Sequence, residues 1–260
     1  MEMLLEVLFR DGEESFVISV DKEFENKIKD KLPLRALLRV WKEEVYFETP
    51  IDLSLPPQEG CLKVVPGELY YWPPGKAFCI FYGVSQPYTP VHRIGRYVGI
   101  LNYLRKVEGD EEASISLYEG EGEEEFGNLF KKLRGLGYDA ALVKVLGDPT
   151  PVASKYLSNG IRVAFQAFVE DYGIHLEGEP LMEFSSEPLV SLIAREISER
   201  VGDYSRVRVD LTEDGDLALT GYAGDEGELL KTVKEFEEAS LKVAQILEDL
   251  RKLFFRAKGQ

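Results

Sequence analysis

His92, Arg93 and Arg96 form the only basic cluster beside an apolar stretch in an otherwise acidic chain. An imidazole titrates near neutrality and can move a proton, and a guanidinium can grip a carboxylate through two parallel hydrogen bonds. Just ahead of them, "YYWPPGKAFCIFYG" (70–83) supplies Trp72, Phe78 and Phe81, which have the area and rigidity of an apolar ligand surface. These six residues, Trp72, Phe78, Phe81, His92, Arg93 and Arg96, are the candidate ligand-binding set. A structural role competes at each position. Strand alternation puts Trp72, Phe78, Ile80 and Tyr82 on one face and Cys79 and Phe81 on the other, so both faces are apolar, as in a barrel wall. His92 and Arg93 fall on opposite faces by the same rule, and each arginine has many acidic residues to pair with.

Other motifs reduce to structure. Cys61 and Cys79 make neither a CxxC pair nor part of a four-ligand set, which leaves no basis for zinc, and Cys79 within "AFCIF" reads as a small buried residue. Asp210, Thr212, Asp214 and Asp216 around Gly215 imitate part of a calcium loop, but no helix precedes them and no closing glutamate follows, so an Asp-Gly hairpin turn is expected. "GYAGDEG" (221–227) precedes a helix, yet Asp225 and Glu226 would repel a phosphate and no P-loop lysine follows. No nucleophile stands beside a partnered base. The expectation is therefore no metal, no cofactor and no catalytic residue.

The elements that must position these residues are mostly short strands. "LLEVLF" and "SFVISV" flank the turn "RDGEES"; "LRALLRVWKEEVYFETPI" reads as a second hairpin; "CLKVV", "LYYW", "AFCIFYG" and "VHRIGRYVGI" follow, joined by Gly and Pro turns. In "PPGK" the glycine is expected to supply a positive φ. One short helix fits "DKEFENKIKDKLP", with Phe24, Ile28 and Leu32 spaced by four and Asp21 as its cap. Many short strands with tight turns predict an all-β closed barrel over residues 1–120, because closure leaves no unpaired edge.

The run "YEGEGEEEF" marks a change of character, and an α+β domain is expected over 121–260. A helix ends near "LRGLG", a strand follows in "AALVKVL", and Ile161, Ala164, Phe165 and Phe168 have helical spacing. "EPLVSLIAREISERVG" predicts a helix with Leu189, Leu192, Ile193 and Ile197 buried, and "RVRVDLTEDGDLALTGY" a hairpin. The final helix, about Glu228 to Arg256, carries a heptad seam of Leu229, Val233, Phe236, Ser240, Val243, Leu247, Leu250 and Phe254. It is long enough to dock on its own sheet or to pair with a second copy, which makes a homodimer an expectation.

With 44% hydrophobic and 30% charged residues the chain is patterned for two packed cores, and its net charge of -16 excludes a phosphate backbone or an anionic membrane as an expected partner. No apolar run approaches the roughly 18 to 20 residues a bilayer span needs. The amino end lacks the basic region and cleavage site of a signal peptide, so a cytoplasmic location is expected. Abundant Glu, Lys and Arg with few Gln, Met and Cys leans towards a thermophile.

The combination "EVYFETPID", "VVPGELYYWPPGKAFCIFYG", "VHRIGR" and "LRKVEGDEEASISL" resembles a small prokaryotic family with a cyclophilin-like β-barrel, whose members have no established function. The resemblance covers nearly all of the first domain and implies a closed barrel related in shape to cyclophilins. It does not imply their activity, since the motifs around the isomerase arginine, glutamine, histidine and aromatic residues are absent. The loop "VSQPYTPVH" after Gly83 is short for the family, which alters any groove it borders. The expected function is binding of a peptide or small ligand, or assembly, without catalysis. The alternative is a prolyl isomerase, with Arg93 or Arg96 polarising the prolyl amide and Phe78, Phe81 or Trp72 forming the proline pocket.

Overall fold

The computed structural model describes residues 2–255, with side chains to residue 249, and the chain divides into two compact units, Met1–Ser154 and Lys155–Gln260. The first unit opens with β1 (Met3–Phe9), β2 (Glu14–Val20), α1 (Glu25–Lys29), β3 (Leu34–Val40), β4 (Glu44–Glu48), β5 (Glu68–Trp72), β6 (Ala77–Phe81), β7 (His92–Val98) and β8 (Glu111–Leu117). The eight strands close into an antiparallel barrel in the order β1-β2-β7-β5-β6-β4-β3-β8. Alternation drives the closure: Leu5 and Val7, Phe16 and Ile18, Val45 and Phe47, Leu69 and Tyr71, Phe78 and Ile80 all point into one core. Phe24 and Ile28, beside and within α1, join that core, as the four-residue spacing anticipates.

Gly95 marks where the wall is tightest. The β5–β7 pairing shifts register between Leu69 and Tyr70, and a Cβ on Gly95 would lie 2.0 Å from the Ser19 carbonyl oxygen of β2. The "IGR" motif thus answers a close backbone approach that only glycine permits. A buried polar contact braces the same barrel: the Tyr103 hydroxyl donates to the carboxylate of Glu14, which is 4% exposed, and Arg10 lies 3.8 Å from that carboxylate.

Two local expectations change. "CLKVV" is not a strand: Cys61 makes an isolated bridge to Val91, and the segment passes as a loop over the barrel, its Val64 N–H donating to Gln86 Oε1 (2.9 Å) and its Val65 N–H to the Tyr70 hydroxyl (2.9 Å). At the Pro-Pro-Gly turn the left-handed residue is Lys76, with φ 48°, not Gly75. Gly75 is needed for a different reason, since a Cβ there would lie 2.5 Å from the Trp72 ring.

The first unit continues through α2 (Leu129–Gly135), β9 (Asp139–Val145) and all but the last two residues of β10 (Asp148–Tyr156). β9 and β10 form a hairpin, and Ala141, Val143 and Val152 pack on Val17 and Val98 outside the barrel. The change of character expected near residue 120 therefore falls within this unit, because the hairpin buries its apolar face on the barrel.

The second unit holds β11 (Arg162–Glu170), β12 (Gly173–Gly178), β13 (Met182–Glu183), α3 (Pro188–Val201), β14 (Val207–Leu211), β15 (Asp216–Ala223) and α4 (Glu226–Phe255). β12 lies between β11 and β15, and β13 and β14 both pair with β15. The helix expected around Ile161 to Phe168 is a strand; apolar residues on both of its faces imitate the helical spacing, and the aromatic and β-branched content decides for β. α3 forms, but its buried face is Ala194, Ile197 and Val201, with Leu189 and Leu192 exposed, because the stripe runs on to Val201. The Asp210–Asp216 segment is an Asp-Gly turn: Gly215 has φ 86° and the Asp216 N–H donates to Thr212 Oγ1 (3.1 Å). "GDEGE" is a capping box, the Glu228 N–H donating to Asp225 Oδ1 (3.0 Å) and the Gly224 N–H to Glu228 Oε2 (3.1 Å).

α4 buries Leu229, Thr232, Val233, Phe236, Ala239, Val243 and Ile246, packing on β15 and α3. Leu247 of the expected seam is 42% exposed, the side chains of Leu250 and Phe254 lie outside those described, and Arg256 lies outside the described residues. From Leu229 to Ile246 the stripe is covered within its own unit. No helix among the described residues is long and apolar enough to cross a membrane.

Candidate functional site

The inward residues of β4, β5 and β6 fill the barrel; their outward residues build a groove. β6 lies between β4 and β5, with Tyr46 and Tyr70 both opposite Cys79, and Glu48 and Trp72 both opposite Ala77. The middle strand presents small side chains outward while its neighbours present large ones, so Ala77 and Cys79 lie in a trough between aromatic flanks. Tyr70 and Phe81 close one side of that trough together with Val64 and Val91.

The groove that remains has a volume of about 380 Å³ and is lined by Trp41, Glu44, Tyr46, Glu48, Trp72, Cys79 and, from the loop before β7, Pro87, Tyr88, Thr89 and Val91. Its size and mixture of aromatic walls with few polar groups are those of a small-ligand site. Hydrogen bonding and packing hold the walls. Trp72 Nε1–H donates to Thr89 Oγ1 (2.7 Å), and its ring lies against Gly75. The rings of Trp41 and Tyr88 meet with centroids 4.5 Å apart, and Lys42 Nζ lies 4.2 Å from the first and 5.1 Å from the second, within cation–π range.

Glu44 of the groove and its chain neighbour Glu43 have opposite surroundings. Glu43 accepts from the Val84 N–H (2.7 Å) and from Arg105 Nη2 (3.2 Å). Glu44 is 7% exposed and forms no ion pair among the described residues; its side-chain donor is the Cys79 thiol. Burial raises the Glu44 carboxyl above the usual carboxylate range, with the Cys79 hydrogen bond opposing. Burial also pushes the Cys79 thiol well up, with the Glu44 charge adding to it, so Cys79 stays S–H and is no nucleophile.

An acid raised in the folded state penalises folding once it ionises. The penalty begins as pH rises through the unfolded carboxylate value and is complete above the raised folded value. Glu44→Gln is therefore expected to stabilise the protein by on the order of 1 kcal/mol at neutral pH, the gain disappearing at acid pH. Urea midpoints across that range check it, and a loss of stability at neutral pH would contradict it.

A larger cleft of about 770 Å³ runs past Glu6, Glu119, Glu121 and Glu125. Its one aromatic lining residue is Tyr118, against four in the groove. Among the described residues no group of three or more His, Cys, Asp or Glu could hold a metal ion.

A family model described as cyclophilin-like matches residues 3–116. Residues 3–116 form a cyclophilin-like domain. The solution structure of a hypothetical protein from Archaeoglobus fulgidus is similar at 27% identity, covering 44% of this chain and 94% of that one, with a TM-score of 0.37. The comparison with curated proteins gives no match.

The cyclophilin-like barrel separates the six residues singled out in the sequence. Trp72 alone lines the groove. Phe78 points into the barrel core and Phe81 is fully buried in the cluster beside the groove. His92 Nε2 lies 3.0 Å from the Pro56 carbonyl oxygen, which can only accept, so Nε2–H is the donor. Arg93 is ion-paired with Asp21 and with Glu68 (2.9 Å), and Arg96 with Glu2 and with Asp139 (2.6 Å). Both arginines pay their desolvation to these carboxylates, and neither lines the groove. Sequence reasoning missed Trp41, Glu44, Tyr46 and Tyr88. The period-two pattern of "EVYFE" puts Glu44, Tyr46 and Glu48 on one face and could have found the β4 contribution.

Proposed function

We propose that the cyclophilin-like barrel is a ligand-binding module, taking a small molecule or a peptide side chain in the groove over Ala77 and Cys79. The observation that carries this reading is the outward trough of β6, walled by Tyr46, Trp72, Trp41 and Tyr88 and holding a buried carboxylate that has no cation partner among the described residues. Such a carboxylate costs stability, and a site that uses it accounts for its presence. Catalysis has no comparable support: the thiol is protonated, both arginines are engaged, and His92 bonds to backbone.

The test uses a feature of composition. The chain has two tryptophans, Trp41 and Trp72, and both line the groove, so intrinsic fluorescence reports this site. Titration with a panel of small organic ligands and short Xaa-Pro peptides is expected to shift the emission for at least one member. Tyr88→Ala, which removes a 78% exposed wall residue, should weaken that response about tenfold. A prolyl-isomerisation rate above background, lost on Arg93→Ala or Arg96→Ala, would replace binding with catalysis.

A further inference from the structure

We infer that the groove is a receptor for an organic cation of the tertiary or quaternary ammonium class. The inference rests on the groove being a binding site and adds the chemistry of what enters it. Three observations converge. The walls include Trp41, Tyr46, Trp72 and Tyr88, and aromatic faces attract positive charge through the ring quadrupole. The Trp41–Tyr88 pair already holds an ammonium at the rim, that of Lys42, which is solvent-exposed and free to turn outward when another cation takes those faces. Finally, Glu44 is a buried carboxylate whose neighbour Glu43 has an arginine and which itself has none among the described residues.

The same lining argues against other ligand classes. An anion would meet Glu44 and Glu48 with no groove-lining cation to offset them. A primary ammonium is a compact, strongly hydrated charge whose three N–H groups trade water for hydrogen bonds to Glu44, Glu48, Thr89 and phenol oxygens, so the rings add little for it. An alkylated ammonium needs none of these and replaces lost hydration with ring contacts. The Cys79 thiol from β6 bonds to Glu44; Tyr46 and Glu48 from its own strand and Tyr88 from the loop line the same groove, and Lys42 from the preceding turn lies over the Tyr88 ring. Of these only Lys42 is cationic, and it is exposed. A bound ammonium would favour ionised Glu44, so affinity for a cation with no proton of its own should rise with pH through the raised carboxyl value and then level off.

Choline and its neutral isostere 3,3-dimethyl-1-butanol differ in charge and hardly in shape. Titrated against the full chain and read by tryptophan fluorescence, choline is expected to bind at least about tenfold more tightly. Glu44→Gln should cut choline affinity by about tenfold and leave the neutral probe unchanged. A peptide carrying trimethyllysine distinguishes the source: tighter binding than choline assigns the cation to a protein side chain, and equal binding to a free small molecule. Equal affinity for choline and its isostere would overturn the cation inference while leaving the groove as a binding site. No response to either, in the folded wild-type chain, would remove both.

Discussion

Gly95→Ala should prevent the barrel from closing. A Cβ at residue 95 would lie 2.0 Å from the Ser19 carbonyl oxygen and 3.1 Å from the Val20 Cα, and both obstacles are backbone. A side chain can swing away from such a clash, but a strand held on both edges cannot. β7 is paired to β2 on one side and β5 on the other, so β2 must retreat and give up its bonds to β7. A cost of about 3 kcal/mol or more is expected, a large share of the stability of an ordinary domain. Urea unfolding followed by tryptophan emission measures it, since both indoles belong to this unit. A midpoint within error of the wild type would show that the strands separate more easily than this geometry allows.

The second unit has a corresponding weak point in Phe236→Ala. Phe236 is 2% exposed, meets Phe165 edge to face with centroids 5.5 Å apart, and packs against backbone at Gly178, where a Cβ would lie 2.7 Å from its ring. The ring fills a recess that two glycines, Gly178 and Gly221, leave open, and a recess made of strand backbone cannot collapse around alanine. Loss of about 3 to 5 kcal/mol is expected, at the upper end for an aromatic truncation. Circular dichroism at the helical wavelength follows it, because α4 is the largest helical contribution in the unit. A loss below about 1 kcal/mol would mean that the sheet relaxes into the space.

These two sites show what could be read from the chain and what could not. The barrel was legible because its strands alternate and its turns carry Gly and Pro, both local signals. The "IGR" glycine stood out as a motif, yet its reason, the closeness of Ser19, lies 76 residues back in sequence. The strand at Arg162–Glu170 misled because apolar residues on both faces satisfy helical and extended periodicities alike. In α3 the pattern found the helix but placed Leu189 and Leu192 on the wrong face, since a stripe is defined only once the neighbour it meets is known.

The candidate site was harder still. Trp72 was found because it sits in an aromatic run, but its partners come from β4, from the turn before β4 and from the loop before β7. β4 and β5 are successive strands in the chain yet do not pair with each other, β6 lying between them, so nothing local announces that Tyr46 and Trp72 stand on either side of one trough. The basic cluster pointed away from the site for an electrostatic reason. In a chain of net charge -16, arginines on a barrel wall find carboxylates nearby, and Arg93 and Arg96 have two each.

The alternation along β4, β5 and β6 assigns each strand two tasks that do not share residues. Phe47, Tyr71 and Phe78 keep the barrel shut, while Tyr46, Trp72 and Cys79, each next to one of them in the chain, furnish the outer groove. Specificity on this wall can then be rewritten at every second residue without disturbing the first set. A barrel of this kind is a fixed frame with an exchangeable face, open to acquiring new ligands one substitution at a time.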